Sequence, residues 1–361
     1  MMRNHIPNSY SVYGYQETGG ILDFIFCGCS RLDDRTGEHM QNQSRLAGRQ
    51  YLAMMAVWII AGLLINVANL DRFLNFYSSQ SLVELEFLVP VVVILFMDRF
   101  EVMRGTRMKF IGIKVILWTA LLSLILLPIT NFLNLFSQLL VPNEILARIA
   151  HYSLLTGSVV WDKPFLLNLL YMALLPAVVE EFIFRGVLFQ GLRNCGLFKT
   201  AVITSLMFAL AHGNLNQFLY AFASGLFFTY LVEASGSVYA SMLAHMCLNS
   251  VAVIFVYLER LLPENISSVM VEAENTSVRD LSPVYWIIYG VIAIACVILA
   301  VIVIRTIAKT AGREQIYHEA RKGHGRLKGK EGRVFSVELL IGLLIPIVYI
   351  AIMLLVGLIR S

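Results

Sequence analysis

The sequence predicts an all-α fold, a polytopic transmembrane helix bundle of about nine spans, with eight as the alternative count. Of its 361 residues, 58% are hydrophobic and only 14% are charged, whereas soluble domains contain roughly 45–50% apolar and about 25% charged residues. Apolar runs of about 20 residues recur, each long enough to cross a hydrocarbon core of roughly 30 Å as a helix. We therefore expect an integral, multi-pass membrane protein.

The nine candidate spans follow from apolar length alone. The second and fifth are short, the third is long, and the fourth carries charged residues near its end. In chain order they are 51–70, 82–97, 110–133, 165–189, 198–212, 215–233, 237–257, 284–305 and 337–359. We divide the chain into a polar N-terminal tail at 1–50, N-terminal transmembrane helices at 51–160, a core at 161–257 and C-terminal helices at 258–361.

Basic residues predict the orientation of the bundle, because Lys and Arg favour cytoplasmic loops. They gather before the first span, after the second and fourth spans, and most densely in a loop at 306–334, whereas the loop at 258–283 is mainly acidic. This places the N-terminus in the cytoplasm. The net charge of +4 then reflects orientation and attraction to anionic headgroups, about 1 kcal/mol per base, so we expect membrane lipids and no nucleic acid as partners.

Three of the predicted spans carry polar residues that are costly in hydrocarbon, where a charged residue at mid-helix costs about 2.5–3.5 kcal/mol. Taken singly, each has a structural explanation as a helix-end ion pair, a polar helix terminus or a helix-packing contact. Their conjunction on three spans that short turns keep close together favours a catalytic site. The residues are Glu180, Glu181 and Arg185 on the fourth span, His212 on the fifth, and His245 and Asn249 on the seventh.

Helix geometry separates two roles within the glutamate pair. Glu181 and Arg185 are four residues apart, so they share a face and can pair. Glu180 points about 100° away from its neighbour and has no partner on its own helix. Because a carboxylate in a medium of low dielectric holds a proton more tightly, such a residue can act as a general base that deprotonates water.

The two histidines and the asparagine complete a set that suits a hydrolase. Imidazoles can orient a water molecule, bind a metal ion or donate to a developing oxyanion, and an Asn amide suits an oxyanion donor. A serine or cysteine nucleophile is disfavoured. The sequence has no Gly-x-Ser-x-Gly elbow, and Cys247 points to a different face from His245 and Asn249.

At these residues the chain resembles the CPBP family of intramembrane proteases, which includes the type II CAAX prenyl endopeptidases and the bacterial abortive-infection-like and bacteriocin-immunity proteins. The family pattern consists of Glu-Glu-x-x-x-Arg, Phe-x-x-x-His and His-x-x-x-Asn motifs. The sequence has all three in this order, beginning at Glu180, Phe208 and His245. The resemblance extends from about Leu166 to Asn249 and makes the 161–257 core protease-like.

The resemblance implies a membrane-embedded endopeptidase that hydrolyses a peptide bond in or near the membrane. Its substrate would be a peptide or protein, lipidated or cut near its C-terminus in the CAAX-protease branch of the family. The resemblance also assigns roles to the site residues. Glu180 activates a water with His212, His245 and Asn249 form the oxyanion site, and Glu181 and Arg185 support them.

The resemblance leaves the use of a metal open, since the family has been described both as zinc metalloproteases and as glutamate proteases. Glu180, His212 and His245 could form a His₂Glu zinc site with an open position. The His-x-x-x-Asn spacing puts two donors on one helix face. The oxyanion role uses both donors and a zinc site uses only one, so we favour the metal-free mechanism.

Two other functions stay open. A catalytically inactive relative would act as an immunity or scaffold protein that binds a peptide without cutting it. A proton-coupled transporter could use intramembrane Glu, His and Asn residues as a proton relay. A transporter would also predict broken helices and an inverted repeat, which the sequence does not show.

The predicted orientation can be tested by labelling from each side of the membrane. In a chain whose five native cysteines are replaced, we expect Ser267→Cys to react with an impermeant maleimide only from the outside and Gly329→Cys only from the cytoplasm. The physical reason is the excess of basic residues around the second position. The reverse labelling pattern would contradict the nine-span topology.

Overall fold

The predicted all-α fold is confirmed. The structure, a computed structural model, describes residues 36–97, 105–141, 163–261, 263, 277–322 and 334–359, and these residues form ten helices. In chain order the helices are α1 (Thr36–Val67), α2 (Phe76–Met97), α3 (Ile113–Leu140), α4 (Phe165–Leu192), α5 (Leu197–Ala211), α6 (Leu215–Ser235), α7 (Val238–Leu261), α8 (Pro283–Thr310), α9 (Glu314–Lys322) and α10 (Val337–Ile359).

Eight of these helices are long and apolar enough to cross a membrane, namely all except α5 and α9. Helix α5 has 15 residues and is therefore about 22 Å long, which is less than a hydrocarbon core of roughly 30 Å. It forms a hairpin with α6 through a three-residue turn at 212–214. The described residues thus give the alternative count of eight candidate spans, and the fifth predicted span is a short apolar helix.

The first helix begins earlier than predicted, so the segment 1–50 is not polar tail throughout. Helix α1 starts at Thr36, and residues 1–35 lie outside the described part of the chain. In the part of α1 that precedes residue 51, Ala47 and Gln50 are buried while Arg45 and Arg49 are exposed. A search for apolar runs misses such a segment, because it is amphipathic rather than hydrophobic.

The basic segment 306–334, predicted as a loop, also contains helical structure. Helix α8 continues to Thr310 and the short helix α9 follows. Tyr317 of α9 is only 6% exposed and packs into a hydrophobic cluster with α3, α6, α7 and α8. The glycines that suggested a flexible loop begin at Gly323, after this helix, and residues 323–333 lie outside the described ones.

The described helices pack around three apolar clusters, of which the smallest joins α4, α5, α6 and α7. The first cluster joins α1, α2, α4, α5, α6 and α10. The second joins α3, α6, α7, α8 and α9. Large apolar side chains on the outer faces of α8 and α10 are exposed, as expected of helices that face lipid.

One buried carboxylate joins three connections at one end of the bundle. Glu233 of α6 is fully buried, and Arg193 binds it with Nη2 2.6 Å from Oε1 and Nε 3.0 Å from Oε2. Arg107 Nη1 lies 3.1 Å from Oε2, and Arg313 Nη2 lies 3.7 Å from Oε1. Burial lowers the pKa of Arg107 to about 10, so this guanidinium stays charged at neutral pH.

A second polar network joins helices at the opposite end. Tyr77 of α2 donates to Asn168 Oδ1 of α4 at 2.8 Å, and Asn168 Nδ2 donates to Tyr257 Oη of α7 at 2.8 Å. The loops that the sequence assigns to one side of the membrane therefore meet at one end of the bundle. The contacts agree with the predicted alternation, and which end faces the cytoplasm stays a prediction.

We expect Glu233→Gln to destabilise the fold strongly, because three guanidinium groups would lose their shared counter-charge. Removing one partner of a buried ion pair costs about 3–5 kcal/mol. Thermal unfolding in detergent measures the loss. Glu314→Gln on the exposed surface of α9 is the control, and an equal midpoint for the two variants would contradict the role of Glu233.

Candidate active site

Helix α4, which carries the first motif, is not a regular α-helix. It is π-helical at Leu169–Leu174 and again at Phe182–Leu188. Pro176 lies just after the first of these segments, where its missing N–H removes a regular helical bond. Glu180 and Glu181 immediately precede the second segment. A π-turn shifts the register of the side chains that follow it, and such turns are frequent at functional sites. The first segment therefore changes the direction in which the two glutamates point relative to the start of α4.

Glu181 forms the predicted pair with Arg185 and also binds a histidine from another helix. Arg185 Nη1 donates to Glu181 Oε1 at 2.7 Å, and both side chains are fully buried. His245 Nδ1 of α7 lies 3.2 Å from the same oxygen. Since a carboxylate paired with arginine is an acceptor only, Nδ1 must carry the hydrogen, and in a neutral ring His245 Nε2 is then the acceptor.

Aromatic rings surround the buried guanidinium of Arg185. Its Cζ atom lies 4.3 Å from the ring centroid of Phe208 and 5.4 Å from that of Phe228. Within the described residues, its Nε and Nη2 atoms have no hydrogen-bond partner. Cation–π attraction to these rings therefore supplements the single carboxylate that neutralises the charge.

Phe208 has a second role, because its ring lies beside both motif histidines. The ring centroid is 4.8 Å from that of His212 and 6.0 Å from that of His245. The backbone carbonyl of Phe208 lies 2.8 Å from His212 Nδ1. A carbonyl only accepts, so Nδ1 donates and the lone pair of the neutral ring is on Nε2. This arrangement explains why a phenylalanine precedes His212 by one helical turn.

Oε2 of each glutamate lacks a hydrogen-bond partner among the described residues, but Glu180 differs from its neighbour in having no arginine paired with its carboxylate there. The Oε2 atom of Glu180 lies 3.9 Å from His245 Nε2. Asn249 lies one turn beyond His245 on α7 and is half-buried, so helix spacing puts both on one face. Contacts thus bring the motif residues of α4, α5 and α7 together, with Asn249 placed only by its position on α7.

Two polar residues near Glu180 were missed in the sequence. Glu84 of α2 and Tyr220 of α6 both interact electrostatically with Glu180. Glu84 is only 4% exposed, and its Oε2 has no hydrogen-bond partner in the described structure. The sequence did contain a signal for Glu84. It is a charged residue inside a predicted apolar span, and a charged residue is costly in hydrocarbon. Nothing in the sequence of α2 indicated that Glu84 would lie near Glu180.

The site offers fewer metal ligands than a catalytic zinc ion requires. Across the described ranges, no group of three or more His, Cys, Asp or Glu side chains is arranged to hold a metal ion. The facing pair Glu180 Oε2 and His245 Nε2, 3.9 Å apart, supplies two ligands, and a catalytic zinc ion takes three from the protein. The described geometry therefore does not fit the zinc site that the sequence left open.

One of three comparisons with known proteins agrees with the three motifs. Neither the curated proteins nor the solved structures contain a match to the chain. One protein-family model matches residues 162–251, a segment that includes α4–α6 and most of α7. Its description is type II CAAX prenyl endopeptidase Rce1-like, so the family resemblance predicted from the motifs is confirmed for this segment of the chain.

Proposed function

We propose that the protein is an intramembrane endopeptidase that hydrolyses a peptide bond in or near the membrane. The observation that carries the proposal is the division between the two glutamates. Glu181 is paired with Arg185, whereas Glu180 has no arginine within ion-pair distance among the described residues and has its Oε2, which lacks a hydrogen-bond partner there, 3.9 Å from His245 Nε2. An unpartnered buried carboxylate is costly for stability, and a general base for water is a use that accounts for it.

Glu180 and His212 are the residues that would hold the attacking water. The carboxylate accepts one water hydrogen and His212 Nε2, which has the lone pair, accepts the other. This leaves an oxygen lone pair for the substrate carbonyl carbon. As the C–O bond forms, the proton passes to Glu180. When the tetrahedral intermediate collapses, the same proton passes to the leaving amine, so the carboxylate is regenerated.

His245 and Asn249 would stabilise the oxyanion. The amide of Asn249 donates without any change of protonation. His245 donates from Nε2 only when both ring nitrogens carry a proton, because Nδ1 already donates to Glu181. Glu181 and Arg185 would then act by fixing the ring of His245 and not by contact with the substrate.

The family match supports a peptide or protein as the substrate class. A site on α4, α5 and α7 is enclosed by helices, so the scissile bond must reach it from lipid or from the end of the bundle. We expect a substrate with an extended segment at the membrane, such as a lipidated C-terminus.

Glu180→Gln should abolish cleavage, because the amide has the size of the carboxylate but cannot take the proton from water. We expect a loss of at least a hundredfold in kcat, within the range for a general base. Proteolysis of a fluorogenic, prenylated CAAX peptide in detergent measures it. Glu86→Gln, a buried glutamate on α2, is the matched control and should keep its activity.

Two outcomes would contradict the proposal. A Glu180→Gln variant that folds like the wild type and keeps its activity would show that Glu180 is not the general base. A wild type that binds the peptide at the same site without cutting it would instead indicate the inactive immunity or scaffold relative.

Chelation should leave the activity intact, because the mechanism assigns every step to protein groups. We expect less than a twofold change in kcat after dialysis against a strong chelator such as 1,10-phenanthroline. A loss that added zinc restores, together with about one equivalent of bound metal, would show that Glu180, His212 and His245 form a zinc site after all.

A further inference from the structure

Two helices outside the family-matched segment pack against the helix that ends at His212. Tyr51 of α1 donates to the backbone carbonyl of Met207 on α5 at 3.0 Å, and this contact is buried. Helix α10 also contacts α5. Residues from both helices share the apolar cluster that contains Phe208 and Ala211. The N- and C-terminal helices thus border the second motif directly.

Helices α1 and α10 are themselves closely packed. A Cβ atom at Gly342 of α10 would lie 2.9 Å from the ring of Tyr51 and 3.2 Å from the backbone of Leu52. Only glycine permits this approach, and small residues at such crossings are typical of helix packing in lipid. Ion pairs of Arg45 and Arg49 with Glu338, at 3.9 Å and 3.6 Å, join the same two helices near one end.

The contact continues to the turn that follows His212. Gly213 has φ +60°, and a Cβ atom there would lie 2.8 Å and 2.9 Å from two ring atoms of Trp58 on α1. The Trp58 ring in turn meets Tyr349 of α10 edge to face, with centroids 4.8 Å apart. The backbone of the turn therefore lies directly against an aromatic pair.

This contact matters because, among the described residues, the His212 ring forms a hydrogen bond at one nitrogen only. Its Nδ1 atom binds the carbonyl of Phe208, while its backbone forms the end of α5, where a helix is least constrained. A small rotation of the 212–214 turn would move Nε2 away from the water that Glu180 activates. A misplacement of about 1 Å at a reacting group can cost roughly a hundredfold in rate.

We propose that Trp58 and Tyr349 are positioning residues, which hold the 212–214 turn so that His212 Nε2 faces the attacking water. The inference rests on the proposed protease function and extends it to helices that the family match does not include. Neither aromatic residue contacts reacting atoms in this role. Both act through the Gly213 backbone.

Steady-state kinetics on the full chain test the proposal. We expect Trp58→Ala and Tyr349→Ala each to lower kcat by roughly tenfold to a hundredfold with KM within twofold of the wild type. The double variant should lose no more than the worse single variant, because the two rings act as one unit. Trp58→Phe, which keeps an aromatic ring against Gly213, should recover most of the activity.

Trp286→Ala is the matched control. Trp286 is also half-buried and also packs edge to face, against Phe132 with centroids 5.9 Å apart, but it lies on α8, away from α5. It should leave kcat unchanged. An equal loss in this variant would overturn the proposal, as would a rise in KM at constant kcat, which would make the aromatic pair a substrate contact.

A readout without turnover separates this proposal from the protease function. In protein labelled with ¹⁵N-histidine, we expect the wild-type His212 ring to show a single neutral form with hydrogen on Nδ1. The Trp58→Ala/Tyr349→Ala variant should show exchange between forms at this ring, while Trp286→Ala should not. An unchanged His212 signal in the double variant overturns the positioning role even if cleavage is never detected.

Discussion

A single buried carboxylate, that of Glu181, organises the centre of the bundle. One of its oxygens accepts hydrogen bonds from Arg185 on its own helix and from His245 on α7. Because desolvation makes a buried charge costly unless it is well paired, this oxygen holds both donors in place. The same contact ties α4 to α7, assigns the hydrogen on His245 and leaves Glu180 without an arginine partner among the described residues.

The polar contacts at the two ends of the bundle make this centre possible. In lipid, apolar side chains give helices little preference for one another, so close packing and polar contacts decide how they associate. Glu233 collects three arginines at one end, and Asn168 joins two tyrosines at the other. With the helices fixed at both ends, the middle of α4 can keep one unpartnered oxygen on each of Glu180 and Glu181 and depart from regular α-helical geometry.

Aromatic rings connect the charged centre to the rest of the site. Phe208 lies against the guanidinium of Arg185 and against the ring of His212, so one side chain stabilises a charge and limits the motion of an imidazole. Such rings suit a site within lipid because they attract cations without adding a charge that would itself need a partner. The second motif is therefore as much a packing element as a source of the proposed catalytic histidine.

The sequence by itself determined the class of fold, the motif helices and the pairing of Glu181 with Arg185, because each depends on local spacing or on apolar length. Only the tertiary structure decided that His245 binds Glu181 and that Glu84 lies near Glu180. These contacts join residues that are far apart in the chain, so the periodicity of the sequence cannot predict them. The π-helical segments of α4 were also not predictable, since an inserted residue within a largely apolar stretch leaves no break in the pattern.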